Sequence, residues 1–161
     1  MKKRQKLTAG ITLINKNFKK GEFYHYFEEL NNVIIIPKVN HQFILVRQKR
    51  EPINKKNYEF PMGWIDKGES SSDASTRELF EETGYKCLKK PKKIMEFYPD
   101  PGRGNRKCIC YFSKNLLLAG KPEKNIEVFF KTKKEIIKMI NSKEFNNSSH
   151  IAAFFFCINK F

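Results

Sequence analysis

The chain has 161 residues and a mass of 19.1 kDa, the size of one domain spanning residues 1–161. It is 40% hydrophobic and 30% charged, so it can fill a core, which excludes a disordered segment. Lys and Arg number 32 against 17 Asp and Glu, and the net charge of +15 favours anionic partners such as nucleic acid, acidic lipid or phosphorylated small molecules. Only six of these bases are Arg, and a diffuse Lys excess does not favour a nucleic-acid reader, although it leaves nucleic acid open as a partner.

Targeting signals and metal-binding cysteine patterns are not found in the sequence. The apolar stretch behind the basic N-terminal head breaks at Asn15, which is too early for a secretory signal. The longest apolar run, 151–158, is far too short for a membrane span. The four cysteines lack zinc-site spacing and are predicted to be buried reduced thiols. We therefore expect a soluble, cytoplasmic protein with no membrane partner.

Hydrophobic periodicity predicts a mixed sheet covered by helices. In chain order, it indicates strands at 32–39, at 42–47, up to residue 60, and at 94–98, 107–117 and 126–131, with helices at 71–83, 133–143 and 147–159. The first helix has the clearest signals, because Ser70 and Asp73 form a capping pair and Gly84 stands where a C-terminal glycine cap belongs.

The first helix also carries an unusual acidic face. Glu78, Glu81 and Glu82 stand at i, i+3 and i+4, so their carboxylates repel each other unless a cation such as Mg²⁺ or Mn²⁺ joins them. A solvated acidic face is the alternative, but these acids cluster beside a glycine loop in an otherwise basic chain, which favours a metal site. Arg77 can pair with Glu81 at i, i+4, or reach back to Glu69 and leave the three later carboxylates free for metal.

The stretch 63–85 resembles the Nudix box, Gly-x5-Glu-x7-Arg-Glu-U-x-Glu-Glu-x-Gly-U, in which U is bulky and apolar. The fixed positions are all occupied, by Gly63, Glu69, Arg77, Glu78, Glu81, Glu82 and Gly84, with Leu79 and Tyr85 at the U positions. The resemblance to Nudix hydrolases implies an α/β fold, an α/β/α sandwich with a mixed β-sheet between helices. It also implies hydrolysis, by water, of a nucleoside diphosphate linked to a further group X.

The resemblance assigns roles to the residues of the box. It implies that Glu78, Glu81 and Glu82 are catalytic and bind Mg²⁺ or Mn²⁺ with help from the Gly63 carbonyl. It also implies a structural ion pair between the two remaining charged residues of the box, Glu69 and Arg77. A divalent cation suits this reaction, because it neutralises the diphosphate and acidifies the attacking water.

The flanking segments are similar to those of ADP-ribose pyrophosphatases, and the similarity covers about 33–161. The segment before the box contributes Gln48, Arg50, Glu59, Phe60, Pro61 and Gly63. Pro101 lies sixteen residues after Tyr85, and Asn147-Ser-Ser-His-Ile-Ala-Ala153 resembles the C-terminal helix of this subfamily. The subfamily implies ADP-ribose or a nucleoside diphosphate sugar as substrate, and a homodimer with the short strands of residues 1–31 at its interface.

The same resemblance indicates a substrate-binding set and a general base. The substrate-binding candidates are Arg50, Glu59, Pro101 and Arg103. Glu123 stands in a loop where such enzymes often keep a mobile catalytic carboxylate, and Glu127 is a weaker candidate because it falls in a strand pattern. Arg103 replaces a residue that is usually acidic, which favours a more anionic X than ribose phosphate.

Two alternatives remain open from the sequence. The net charge, with Arg103 and Arg106, suits a Nudix hydrolase that acts on nucleoside triphosphates, dinucleoside polyphosphates or RNA 5′ ends. A protein of another class, a catalytically idle nucleotide- or RNA-binding Nudix module, is disfavoured by the complete set of box carboxylates.

Overall fold

The computed structural model describes residues 2–17 and 21–161. The strands are β1 (Lys2–Lys6), β2 (Ile11–Asn17), β3 (Phe23–Glu29), β4 (Asn32–Val39), β5 (Gln42–Arg50), β6 (Lys55–Glu59), β7 (Met62–Trp64), β8 (Tyr85–Cys87), β9 (Lys92–Phe97), β10 (Cys108–Ser113), β11 (Leu116–Leu118) and β12 (Glu127–Thr132). The helices are α1 (Ser71–Thr83), α2 (Lys133–Asn141) and α3 (Ser148–Lys160). In the described part of the chain, no helix has the length and apolar character needed to cross a membrane.

The central sheet has seven strands and mixed directions. Its order is β12-β5-β4-β10-β9, with β6 paired to β5 and β7 paired to β4. β4 and β10 run parallel, whereas the other neighbours are antiparallel. The predicted α/β class with a mixed sheet is therefore confirmed.

Helices cover both faces of this sheet, and β4 buries side chains against the helices on each face. Ile34 and Ile36 belong to the larger core cluster, which includes residues of α2 and α3. Val33 and Ile35 point the other way, into a smaller cluster that includes Leu79 of α1. This alternation follows from the twofold period of a strand, and a strand buried on both faces reads as a continuous apolar run.

Helix α1 begins and ends where its sequence signals predict. The Ser70 side chain accepts a hydrogen bond from the Asp73 N–H at 3.1 Å, and Gly84 caps the other end with φ +76°. A Cβ at residue 84 would lie 2.4 Å from the Gly120 carbonyl oxygen, so both the backbone conformation and the close approach require glycine. The capped helix fixes the positions of the box carboxylates relative to the sheet.

Two sequence predictions need correction. The single strand predicted at 107–117 is two strands, β10 and β11. Lys114 and Asn115 lie outside both strands, and the two strands pair in different sheets. All four cysteines are free, but Cys87 is half-buried rather than buried.

The N-terminal strands form a separate antiparallel sheet, β1-β2-β3. Its β3 edge is bonded to the loop 99–106. The Phe27 N–H donates to the Arg103 carbonyl at 2.8 Å, and the Asn105 N–H donates to the Phe27 carbonyl at 3.1 Å. This sheet therefore holds the loop that contains two of the predicted substrate-binding residues.

A buried histidine makes the stability of the fold sensitive to acid. His150 is fully buried, its Nδ1 accepts from the Phe60 N–H at 3.0 Å, and its Nε2 lies 3.1 Å from the Met62 sulfur. Burial lowers the pKa of His150 to about 4 from an ordinary 6.5, so the unfolded chain binds this proton more readily. We expect about 3 kcal/mol of stability to be present above pH 6.5 and lost as the pH falls towards 4.

Urea unfolding at pH 7 and pH 4.5 measures this effect, with His150→Gln as the control that removes the titrating group. The variant is expected to be less stable at pH 7 and to lose less stability on acidification than the wild type. Equal losses in the two proteins would contradict the assigned role of His150.

Candidate active site

The Arg77 guanidinium is the centre of the box region. Its Nε and Nη2 donate to the two oxygens of Glu69 at 2.9 and 3.0 Å, a bidentate ion pair. Its Nη1 also donates to Glu78 at 2.7 Å and to Glu81 at 3.0 Å, and Nη2 donates to the Trp64 carbonyl at 2.9 Å. The two pairings that the sequence left open therefore occur together.

This arrangement corrects one expectation, that pairing with Glu69 leaves the three later carboxylates free. The fork of Arg77 has five N–H donors, enough to hold Glu69 and still bind Glu78 and Glu81. Over residues 2–17 and 21–161, no group of three or more His, Cys, Asp and Glu side chains forms a ready-made metal site. Arg77 supplies the positive charge that brings these carboxylates close to one another.

Glu82 is the most deeply buried carboxylate of α1, with 6% of its surface exposed. It accepts hydrogen bonds from the Met62 N–H at 3.1 Å and from the Gln48 side-chain amide at 3.2 Å. Burial, with the charge of Glu78 nearby, raises the pKa of Glu82 to about 8. Burial also raises the pKa of Glu78, despite its contact with Arg77. The surroundings of both groups therefore favour the neutral carboxyl more than water does.

The backbone at Gly63 passes directly beside Glu78. A Cβ at this position would lie 2.0 Å from Glu78 Oε1, so only glycine allows the carboxylate to sit there. Strand β7 thus places main-chain groups next to α1 carboxylates whose negative charge the surrounding protein does not fully balance. A set of carboxylate and carbonyl oxygens fits a hard divalent cation, which would supply the missing charge.

Arg50 and Glu59 form a second ion pair, in which the Glu59 side chain is only 2% exposed. Arg50 Nε donates to the two Glu59 oxygens at 3.2 and 3.1 Å, and its Nη2 also contacts Glu59. Asn57 and Asn147 donate to Glu59 Oε1 at 3.1 and 3.4 Å. Burial alone would raise the pKa of Glu59, but hydrogen bonds and charge from Arg50 hold that pKa below its usual range. Glu59 therefore fixes the Arg50 guanidinium, whose charge interacts with that of Glu82.

The two candidates for a general base differ in their surroundings. Glu123 is exposed, its N–H donates to the Glu81 carbonyl at 2.9 Å, and its charge contributes to the raised pKa of Glu78. Glu127 binds Arg47 Nη2 and Lys56 Nζ, each at 2.6 Å. Those contacts lower the pKa of Glu127 to about 2, which makes it a poor proton acceptor. Glu123 is thus the candidate placed beside the carboxylates.

The other predicted substrate residues, Pro101 and Arg103, lie against the N-terminal sheet. Arg103 lines a cavity of about 450 Å³ with Glu29 and Arg106, which pair with each other at 3.5 Å. Within the ranges the structure describes, no hydrogen bond or ion pair joins the loop 99–106 to the carboxylates of α1. We call the side chains of Glu78, Glu81 and Glu82 the carboxylate cluster. The structure places Arg50 and Glu123 beside this cluster, and it places Pro101 and Arg103 on a different surface.

Sequence reasoning did not identify Asn57 and Asn147 as part of the site. Asn57 and Glu59 are two residues apart in β6, so their side chains share one face, and this spacing was a usable signal. Asn147 is 88 residues from Glu59 in sequence, and no local pattern links them. Gln48 belongs to the motif before the box, but no pattern in the sequence predicts its hydrogen bond to Glu82.

Comparison with known proteins identifies the family. The NUDIX domain model matches residues 29–153. The ADP-ribose pyrophosphatase of Bacillus subtilis is 34% identical over 108 residues, which are 64% of this chain and 58% of that protein. The ADP-sugar pyrophosphatase of Mus musculus is 46% identical over 66 residues, which are 38% of this chain and 28% of that protein. The chain thus matches less than two thirds of the length of these curated relatives.

The crystal structure of an ADP compounds hydrolase shares the fold. It superimposes with a TM-score of 0.81 at 19% identity, over 99% of this chain and 90% of that chain. The family model covers the whole central sheet, α1 and α2, and includes every residue of the carboxylate cluster. The chain belongs to the Nudix family.

Proposed function

We propose that this protein hydrolyses the pyrophosphate linkage of ADP-ribose or a related nucleoside diphosphate sugar, giving a nucleoside monophosphate and a sugar phosphate. The observation that carries the proposal is the pair of buried carboxylates, Glu78 and Glu82, beside the close backbone approach of Gly63. The names of the B. subtilis and mouse relatives support the choice of substrate.

The proposal includes a divalent cation, Mg²⁺ or Mn²⁺, held by Glu78, Glu81, Glu82 and the Gly63 carbonyl. When bound, the cation would neutralise the diphosphate and acidify a water molecule. Arg77 can keep its bidentate contact with Glu69 while Glu78 and Glu81 turn from Nη1 to the cation, because separate nitrogens make most of these contacts. The loop that precedes α1 would then stay fixed during catalysis.

The remaining roles are assigned to the residues around the carboxylates. Arg50, held by Glu59, would bind a phosphate group of the substrate through the donors that Glu59 leaves free. Glu123 would accept the proton of the attacking water, because it is exposed beside Glu78. Pro101 and Arg103 would contact the part of the substrate that is remote from the reacting phosphates.

The direct test is product analysis with purified protein. ADP-ribose with Mg²⁺ or Mn²⁺ is expected to give AMP and ribose 5-phosphate, and excess EDTA is expected to stop the reaction. Parallel reactions should contain a nucleoside triphosphate, a dinucleoside polyphosphate and a 5′-triphosphorylated RNA. Faster turnover of one of these would overturn the substrate assignment, and no turnover of any compound would favour the idle nucleotide-binding module.

Gly63→Ala tests the close approach of β7 to Glu78. The added methyl group would overlap the Glu78 carboxylate, which must move away. Because the colliding atoms are the end of a flexible side chain, we expect the variant to fold. Its affinity for Mn²⁺ should fall about 10–100-fold, and kcat with it. Calorimetric titration with Mn²⁺ measures the affinity, circular dichroism checks the fold, and unchanged binding would exclude a role for Glu78 at this position.

We also propose a homodimer that uses the N-terminal sheet. Leu7 and Phe23 at this sheet are 48% and 60% exposed, and contact with a second copy of the chain would bury them. Size-exclusion chromatography with light scattering is expected to give twice the chain mass. A Phe23→Ser variant should shift the equilibrium towards monomer, and a monomeric wild-type protein would contradict the proposal.

A further inference from the structure

A second charged cavity lies at the opposite end of the central sheet from the candidate active site. It has a volume of about 600 Å³ and is formed by residues from the β4–β5 turn, the segment before β9, the end of β10 and the C-terminal residue of the described chain. Five of its lining residues are lysines: Lys38, Lys89, Lys90, Lys92 and Lys114. We call this cavity the lysine cleft.

The lysine cleft has no acidic side chain in its lining to balance its positive charge. Its lining contains no Asp or Glu, and in the described ranges none of its five lysines forms an ion pair with a carboxylate. Some lysines elsewhere are paired, as Lys56 is with Glu127 and Lys107 with Glu96. Ammonium groups that line one cavity without acidic side chains between them repel one another, and an anion bound there would relieve this repulsion.

The lysine cleft is separate from the carboxylate cluster. In β4, Val33 pairs with Gly63 of the candidate active site, whereas Lys38 stands five residues further along the strand. At the usual rise of a strand, that separation is about 17 Å. One molecule of the proposed substrate held at the carboxylates would not need any of these lysines.

We propose that the lysine cleft binds a small molecule that carries several adjacent phosphate groups. The volume falls in the usual range of small-molecule sites, about 300–1,000 Å³. Lysine binds phosphate as a point charge without a fixed orientation, so the cleft recognises a cluster of phosphates rather than one planar group. The Phe161 ring, with Lys92 Nζ 4.8 Å from its centroid, adds an apolar wall beside the charges.

The shape of the lysine cleft favours a compact ligand over a macromolecule. A concave site built by several segments surrounds a small anion, whereas an anionic membrane needs a flat or convex surface. A polynucleotide requires a groove that follows its backbone beyond one cavity. The phosphates can belong to an inorganic polyphosphate or to a nucleoside polyphosphate, which share this chemistry.

Calorimetric titration tests the proposal with inorganic tripolyphosphate and, separately, ATP, in EDTA and about 0.15 M salt. Lys90 and Lys114 are exposed, so the double variant K90Q/K114Q is expected to fold normally. It should bind tripolyphosphate at least about tenfold more weakly than the wild type. The control K3Q/K134Q removes the same charge from exposed sites outside the cleft and should keep the wild-type affinity within about twofold. Tighter binding of ATP would assign the phosphates to a nucleotide.

Three results would overturn the proposal. The first is that neither anion saturates the wild-type protein. The second is that the two double variants lose affinity equally, which is the effect of net charge alone. A 12-nucleotide single strand that binds more tightly than both anions, and depends on Lys90 and Lys114, would make the cleft a polynucleotide site. Hydrolysis of the proposed substrate should be unchanged in K90Q/K114Q, so failure at the cleft is distinguishable from failure at the carboxylates.

Discussion

Glu82→Gln is expected to lower kcat for the proposed hydrolysis by about 10²–10³-fold, the usual cost of removing one electrostatic contribution to a transition state. Glutamine keeps the size of the side chain and can still accept from the Met62 N–H. It cannot supply the negative charge that a divalent cation needs. Because the pKa of Glu82 without a cation is about 8, neutral glutamine should not destabilise the unliganded fold.

The measurement is initial-rate kinetics over a range of Mg²⁺ concentrations, with urea unfolding to confirm the fold. Glu144→Gln is a suitable control, since it removes an exposed carboxylate outside the cluster. The control should retain the wild-type rate. If Glu82→Gln keeps a rate within threefold of the wild type, the assigned mechanism is wrong for any substrate.

Arg77→Ala is expected to lower the free energy of unfolding by about 2–3 kcal/mol. Its guanidinium joins Glu69, Glu78 and Glu81, and all of these contacts are lost together. The remaining acids would repel each other in a half-buried setting, so the loss should exceed that of a surface ion pair. Urea unfolding in EDTA measures the difference without any contribution from bound metal.

Arg106→Ala provides a matched control for this variant. The Arg106 side chain is 33% exposed against 30% for Arg77, but its ion pair with Glu29 is a single contact at 3.5 Å. We expect a loss below about 1 kcal/mol for Arg106→Ala. Equal losses for the two variants would show that Arg77 is an ordinary surface residue.

The helix that carries the site was predictable because its signals are local. Ser70 and Gly84 mark its two ends, and the spacing of the glutamates places them on one face whatever the rest of the fold does. The apolar run at 33–36 was also informative, since an unbroken run of this kind is typical of a strand buried on both faces. These features predicted the class of fold and the position of the carboxylates.

Features that depend on contacts between distant segments were not predictable. The sequence offered Arg77 two alternative partners, and only the fold shows that the guanidinium reaches both at once. The hydrogen bond from Asn147 to Glu59 depends on where α3 begins relative to the sheet. The lysine cleft shows the same limit, because its lysines are spread along the chain and meet only at one end of the sheet.

The most direct test of the central claim is a crystal structure of the protein with Mn²⁺, using anomalous diffraction to locate the metal. The claim is that the α1 carboxylates and the Gly63 backbone hold a divalent cation. We predict an anomalous peak bounded by Glu78, Glu82 and the Gly63 carbonyl, with Arg77 still bound to Glu69. Crystals that take up Mn²⁺ only elsewhere, with Glu78 and Glu81 still held by Arg77, would contradict it.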